Sequence, residues 1–184
     1  GKIDRHYHAS STWLTEQYRT ADAIHKEFGR DFCVLFSGGK DYKIIINAFL
    51  KIGIKPRTIF VKFKDGRNQT AFSQAEQFCK DVGMQIMIIE FDDGDFFQSG
   101  ESTSLIKQTS CLDPIFLQTF NIVSKVQIPT ILADDSLLRR YTTLDGNNIF
   151  YQFKENEEAA IMRFSLDKNL PIINEWFSYT PELL

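Results

Sequence analysis

The chain has 184 residues, a length that suits one domain and is tight for two. With 43% hydrophobic and 24% charged residues it can bury a core, which excludes disorder as its main state. A formal net charge of −3 leaves no global electrostatic footprint for nucleic acid, and no stretch approaches the roughly 20 apolar residues of a membrane-spanning helix.

The first ten residues are polar, carry no apolar signal-peptide segment, and hold His6 and His8 without an obvious third metal ligand nearby. Apolar side chains at Leu14, Tyr18, Ala21, Ile24 and Phe28 recur at helical steps and predict a helix over 12–28, ended by Gly29. Phe32 to Phe36 is a continuous apolar run of strand length, as expected for a strand buried on both faces. After a break at Ser37–Tyr42, a helix is predicted from Ile44 to Ile52, a strand from Thr58 to Phe63, a helix from Ala71 to Val82 and a strand from Gln85 to Phe91. The polar stretches Asp65–Gln69 and Asp92–Thr103 read as surface loops, the second a mobile one, with Asp92-Asp93-Gly94-Asp95 as a turn. Asp113 caps a helix that begins with Pro114 and runs to about Val126. Thr130 to Ala133 is a fourth strand, Ile149 to Phe153 a short fifth, Glu155 to Lys168 a helix, and Pro171 to Leu184 an irregular apolar strap. Because that strap is still apolar at its end, the natural chain is expected to continue beyond it.

This alternation predicts an α/β fold, three-layer α/β/α, with a parallel sheet of four to five strands and Phe32–Phe36 central. A single domain over 1–184 is expected, with an N-terminal helical extension over 1–30 and a C-terminal extension over 141–184. Cys33, Cys79 and Cys111 are far apart and lack a CxxC pair, which argues against disulfides and a zinc ribbon and for a reducing, cytoplasmic setting. Cys111 reads as a buried thiol near the Asp113 cap. The 17 phenylalanines lie mostly inside apolar runs and read as core.

The most informative segment is the turn Ser37-Gly38-Gly39-Lys40-Asp41, which leaves a strand and enters a helix. Ligands of open α/β sheets bind beyond the carboxyl ends of the strands. Two glycines let the backbone approach an anion, and the amides of the turn and first helical residues are free to point at it. Ser37 adds a hydroxyl and Lys40 a positive charge. Asp41 makes sense beside phosphates as a ligand to a bridging Mg²⁺. Neither GxxxxGK[ST] nor GxGxxG is present.

The string resembles the pyrophosphate loop SGGxDS of the PP-loop ATP pyrophosphatases, a superfamily of Rossmann-like, HUP-type domains. That superfamily includes asparagine, GMP, NAD and argininosuccinate synthetases, tRNA-modifying enzymes and phosphoadenosine phosphosulfate reductases. Ser37 to Asp41 match its first five positions; Tyr42 departs from the usual Ser or Thr at the sixth. The element order extends the resemblance over about residues 30–140. It implies ATP and Mg²⁺ as cofactors and cleavage of ATP between the α and β phosphates. An acceptor oxygen would be adenylylated and then attacked by a nitrogen or sulfur nucleophile. It implies catalytic roles for Ser37, Lys40 and Asp41. The nucleotide site it implies comprises Phe36, Ser37, Gly38, Gly39, Lys40, Asp41, Tyr42, Phe63, Asp134 and Arg139. Asp41 and Asp135 would form the metal site, and Arg139 or Arg140 would neutralise phosphate charge. Lys62, Lys64 and Arg67 face phosphate or, more simply, solvent.

The acceptor is a small molecule or a nucleobase, with nucleic acid and a homodimer as open alternatives. No cysteine follows Cys111, so the C-terminal redox cysteine of the sulfonucleotide reductases is missing, as are paired iron–sulfur and four-cysteine zinc patterns. Two other readings keep the fold: a sulfonucleotide-binding enzyme, and a non-catalytic nucleotide-binding module suggested by Tyr42.

Overall fold

Thr12 opens helix α1 (Trp13–Phe28) by accepting a hydrogen bond from the Thr15 amide, and Gly29 closes it. In this computed structural model, residues 12–133, 138–142, 149–153 and 158–173 are described. The chain then alternates through β1 (Cys33–Leu35), α2 (Lys40–Lys51), β2 (Arg57–Phe63), α3 (Gln69–Asp81) and β3 (Ile86–Phe91). Three helices follow, α4 (Asp93–Gln98), α5 (Glu101–Thr109) and α6 (Pro114–Val126), before β4 (Thr130–Ile131). The described chain ends with β5 (Leu138–Thr142), β6 (Ile149–Phe153), α7 (Glu158–Lys168) and β7 (Ile172–Ile173).

Five strands form one parallel sheet in the order β3-β2-β1-β4-β7, with β1 in the middle as its uninterrupted apolar run requires. Successive strand side chains point to opposite faces, and each face carries a core. Val34, Phe36 and Phe60 point to a cluster built with Ala21 and Ile24 of α1, Ile45, Ile46 and Phe49 of α2, and Ala75 and Cys79 of α3. Leu35, Val61 and Phe91 point to the other face, where Phe96, Leu105, Phe116, Phe120, Val123 and Phe164 gather from α4 to α7. The Phe120 and Phe164 rings stack there at 4.7 Å. This is the expected three-layer α/β/α arrangement.

Several sequence expectations need correction. Leu14 belongs to no buried stripe and is exposed, while Glu16, Gln17 and Thr20 are buried on α1. Helix α2 starts at Lys40, a turn earlier than Ile44, because Gly38 and Gly39 complete the break and Asp41 suits a first turn. The stretch 92–103 is no mobile loop. Asp92 caps α4 by accepting from the Asp95 amide, Gly100 at φ 85° turns the chain into α5, and Phe96 and Leu105 anchor both helices in the core. The polar composition of this stretch hid helices that bury one side only.

Ile149–Phe153 is a strand, but it pairs antiparallel with β5 in a separate hairpin. The fifth strand of the main sheet is β7, within the segment expected to be an irregular strap. Ile172 and Ile173 are buried there and align with Thr130 and Ile131. No described helix is long and apolar enough to cross a membrane.

Candidate functional site

The strand order creates a switch point. From β1 the chain moves outward to β2 and β3 on one side, then returns to β4 on the other, so the crossover connections diverge at the carboxyl end of β1. Open α/β sheets bind ligands at such a point. The segment 37–41 lies there, between β1 and α2.

Its two glycines have different duties. Gly38 is buried at φ 85°, and a Cβ on it would come 2.7 Å from the carbonyl oxygen of Ala71 in α3. The loop therefore leans on α3 through a contact only glycine permits. Gly39 is the N-cap of α2 at φ −68°, ψ 163°, an ordinary extended conformation, and a Cβ there would meet only the Ser37 Oγ at 3.4 Å. Ser, Asp or Asn would make a stronger cap. With glycine, no side chain caps the helix, and among the described residues the amides of Gly39, Lys40 and Asp41 have no hydrogen-bond acceptor. The helix dipole adds positive potential at the same spot. Ser37 and Lys40 are exposed and Asp41 half-buried; none of the three side chains has a hydrogen-bond or ion-pair partner among the described residues. Loop amides, a hydroxyl and an ammonium group are the kinds of donor from which an anion cradle is built.

Beside this segment is a cavity of about 310 Å³. Leu35, Phe36, Ser37 and Tyr42 wall it from the loop side, and Phe60, Val61 and Phe63 from β2. Asn68 and Ala71 close it at α3, and Ile115, Gln118, Thr119 and Ile122 at α6. The walls are largely apolar and aromatic, as small-molecule sites are, and their polar side chains are mostly committed within the protein. Asn68 Nδ2 donates to the Val61 carbonyl at 2.7 Å, while its Oδ1 accepts from the Phe63 amide at 3.1 Å. Thr119 donates to the Ile115 carbonyl, and Gln118 donates to Asp93.

At the rim, the Arg67 guanidinium lies 3.7 Å over the Phe63 ring and is bonded to Asp93. Lys64 reaches Asp92 at 3.4 Å. Bonds from the Asp95 amide, and secondarily from Lys64, hold the Asp92 carboxyl below its ordinary range. The β2–α3 loop is thereby fastened to the start of α4, and neither Lys64 nor Arg67 is a free solvent charge. Lys62 lies over the Phe72 ring.

Of the residues expected at a nucleotide site, Phe36, Ser37, Tyr42 and Phe63 line one cavity, and Gly38 to Asp41 lie between Ser37 and Tyr42 in the chain without lining it. The backbone of Arg139 belongs to β5. Asp134 and Asp135 lie outside the described residues, although the chain leaves β4 toward them beside β1. Among the described residues, no three His, Cys, Asp or Glu side chains gather into a metal site.

Sequence reasoning missed Asn68, Gln118 and Thr119. The signal for the last two was a helical stripe, Ile115, Gln118, Thr119 and Ile122, with polar members inside an otherwise apolar face. Asn68 sits at a helix start, where it suggests a cap, yet its side chain turns back to β2. Cys111 is buried, and Asp113 caps α6 by accepting from the Ile115 and Phe116 amides.

No protein-family model matches the chain, and no curated protein matches it. Solved structures do. A predicted subunit of a tRNA methyltransferase from Methanocaldococcus jannaschii superposes with a TM-score of 0.51 at 19% identity, covering 83% of this chain and 71% of the other. An NMN synthetase from Francisella tularensis gives 0.48 at 12% identity, covering 86% and 70%. An NH3-dependent NAD synthetase from Campylobacter jejuni, in complex with nitrate, gives 0.43 at 18%, covering 94% and 81%. The likeness to the first is one of fold, and that fold is the one implied by the resemblance of Ser37–Asp41 to the PP-loop ATP pyrophosphatases.

Proposed function

We propose that the chain is an ATP-using enzyme that cleaves ATP between the α and β phosphates. The carrying observation is the uncapped α2 N-terminus, with Gly39 at the cap and the side chains of Ser37, Lys40 and Asp41 beside it, partnerless among the described residues, next to the 310 Å³ aromatic cavity. The amides of Gly39 to Asp41 hold the terminal phosphates, and Ser37 and Lys40 neutralise them. The cavity behind Tyr42 and Phe63 takes the base by apolar and ring contact. Asp41, with Asp135, would hold Mg²⁺, which would offset the charge of the phosphates, and Arg139, carried on β5 of the separate hairpin, would add positive charge. ATP bound in this way supplies an α-phosphorus that an acceptor oxygen attacks as pyrophosphate leaves. A nitrogen or sulfur nucleophile then displaces AMP from the adenylylated acceptor. The protein's own contribution is positioning and preorganised positive charge where the leaving group gains negative charge.

The acceptor is a small molecule or a nucleobase. A test panel therefore contains carboxylates, carbonyls, free nucleobases and tRNA, the last because one structural relative is described as a tRNA methyltransferase subunit. Wild-type protein with ATP and Mg²⁺ should release AMP and pyrophosphate with one of these. Asp41→Asn should cost roughly 10²-fold in turnover with little change in ATP affinity, because its contact matters most in the transition state.

A second reading rests on Tyr42, whose half-buried ring lines the cavity 6.3 Å from that of Phe36, where the resemblance expects a small hydroxyl residue. If ATP binds but neither wild type nor Tyr42→Ser forms AMP with any acceptor, the chain is a nucleotide-binding module and the enzyme reading is lost.

A further inference from the structure

Helix α6 brings two polar side chains, Gln118 and Thr119, to a cavity whose walls are otherwise largely apolar and aromatic. The few polar groups of such a wall decide what a ligand has to present to it. Thr119 has one hydroxyl proton, and it is spent on the Ile115 carbonyl at 2.9 Å. Toward a ligand the Thr119 oxygen can then only accept.

Gln118 is oriented by charged partners. Its Nε2 donates to Asp93 Oδ1 at 3.2 Å, and the other oxygen of Asp93 accepts from Arg67. A carboxylate paired with a guanidinium accepts and does not donate, so it faces the nitrogen of the amide and never its oxygen. Asp93 is not part of the cavity wall, whereas Gln118 is. The nitrogen is thus drawn to the rim, which leaves the oxygen, on the other branch of the amide, for the cavity. Among the described residues nothing donates to Gln118 Oε1, and that atom is not sealed from solvent.

We propose that Gln118 reads the base of the bound nucleotide, its Oε1 accepting from an exocyclic amino group, with the Thr119 oxygen beside it adding to the preference for a donor. This rests on the nucleotide reading and narrows it to bases that carry such an amino group. A base with an oxygen at position 6 and no N–H there sets acceptor against acceptor and leaves Oε1 without a partner. Asp93 is a positioning residue: it touches no ligand and acts by keeping the amide from turning over. Arg67, lying over the Phe63 ring, holds Asp93 in turn.

Three nucleotides that differ at position 6 test this by calorimetric titration in the presence of Mg²⁺. They are ATP, 6-methoxypurine riboside triphosphate, which has an oxygen and no N–H, and purine riboside triphosphate, which has only hydrogen. Wild type should bind ATP roughly tenfold or more tightly than the methoxy analogue, with the unsubstituted purine between them. Gln118→Leu should weaken ATP and leave the methoxy analogue as tight or tighter, bringing their ratio near one. Asp93→Asn keeps the shape but can donate as well as accept, so the amide is released to turn over. The ratio should fall there too, although Gln118 is intact. A purely structural role for either residue would lower all three affinities together and leave the ratio as it was. Equal affinity for ATP and the methoxy analogue in wild type, a preference for the analogue, or a ratio unchanged by either substitution would overturn this proposal while the nucleotide reading stands. A wild type that binds none of the three would overturn both.

Discussion

A methyl group on Gly38 would press on the Ala71 carbonyl at 2.7 Å from a backbone at φ 85°, whereas one on Gly39 would meet only the Ser37 Oγ, at 3.4 Å, from a φ of −68°. Adjacent residues of the same type therefore differ: the fold demands glycine at 38 and not at 39. Gly38→Ala should lower stability by about 1–3 kcal/mol, the usual cost of a non-glycine residue in a strained region. Gly39→Ala should stay within about 1 kcal/mol of wild type, since the native angles suit alanine and only the cap is weakened. Gly39→Val should fold as well, yet lose ATP, because its side chain occupies the approach to the amides. Chemical denaturation together with nucleotide titration of the three variants separates these effects. A folded Gly39→Val that binds ATP as wild type does would remove the loop from the site. From sequence alone the two glycines were equivalent. What distinguishes them is the approach of α3, a contact between residues 33 positions apart in the chain, 71 minus 38.

At the scale of elements, local pattern revealed most of what local physics decides. The central strand was legible because Phe32 to Phe36 is apolar throughout, and α6 because Asp113 and Pro114 announce its start. Less legible were elements stabilised by distant partners. The two residues of β7 carry no periodic signal and are a strand because Thr130 and Ile131 lie alongside. Helices α4 and α5 begin in a run of Asp, Gly and Ser and are held by Phe96 and Leu105.

The cavity shows the same division. The loop beside it was readable in five residues, whereas the brace that shapes its wall was not. Asn68 takes the place of a neighbouring strand at the end of β2, pairing both the Val61 carbonyl and the Phe63 amide. Removing it leaves two backbone groups short of partners, so Asn68→Ala should cost about 1–2 kcal/mol. It should also weaken nucleotide binding, since Val61 and Phe63 line the cavity. Asn68→Asp, which keeps the acceptor for Phe63 but loses the donor to Val61, should fall between alanine and wild type. Equal nucleotide affinity in all three proteins would mean that the brace serves stability alone.

Over the whole molecule, two cores share one sheet. Strand β1 supplies Val34 to the first and Leu35 to the second, so neither layer can lose its packing without exposing the other's central strand. The three cysteines are placed to report on this. Cys33 lies within β1, its thiol pushed up to about 11 by burial, with Thr130 at 3.4 Å. Cys79 lies in the α1–α3 core, where burial also raises it, and Cys111 is buried in the α4–α7 core. A buried, protonated thiol is a poor nucleophile, so alkylation has to wait for opening. If the chain is one cooperative domain, as its length suggests, all three should be alkylated together. Their common rate should be slowed about 10³-fold or more relative to unfolded protein, in line with the 5–15 kcal/mol typical of global stability. Mass spectrometry after pulsed alkylation resolves the sites. Should Cys111 react while Cys33 and Cys79 stay protected, the α4–α7 layer opens by itself and the single-domain view fails. Should all three rise together with denaturant, along one transition that saturating ATP shifts upward, the anion loop and both cores belong to one folding unit, with β1 as their common element.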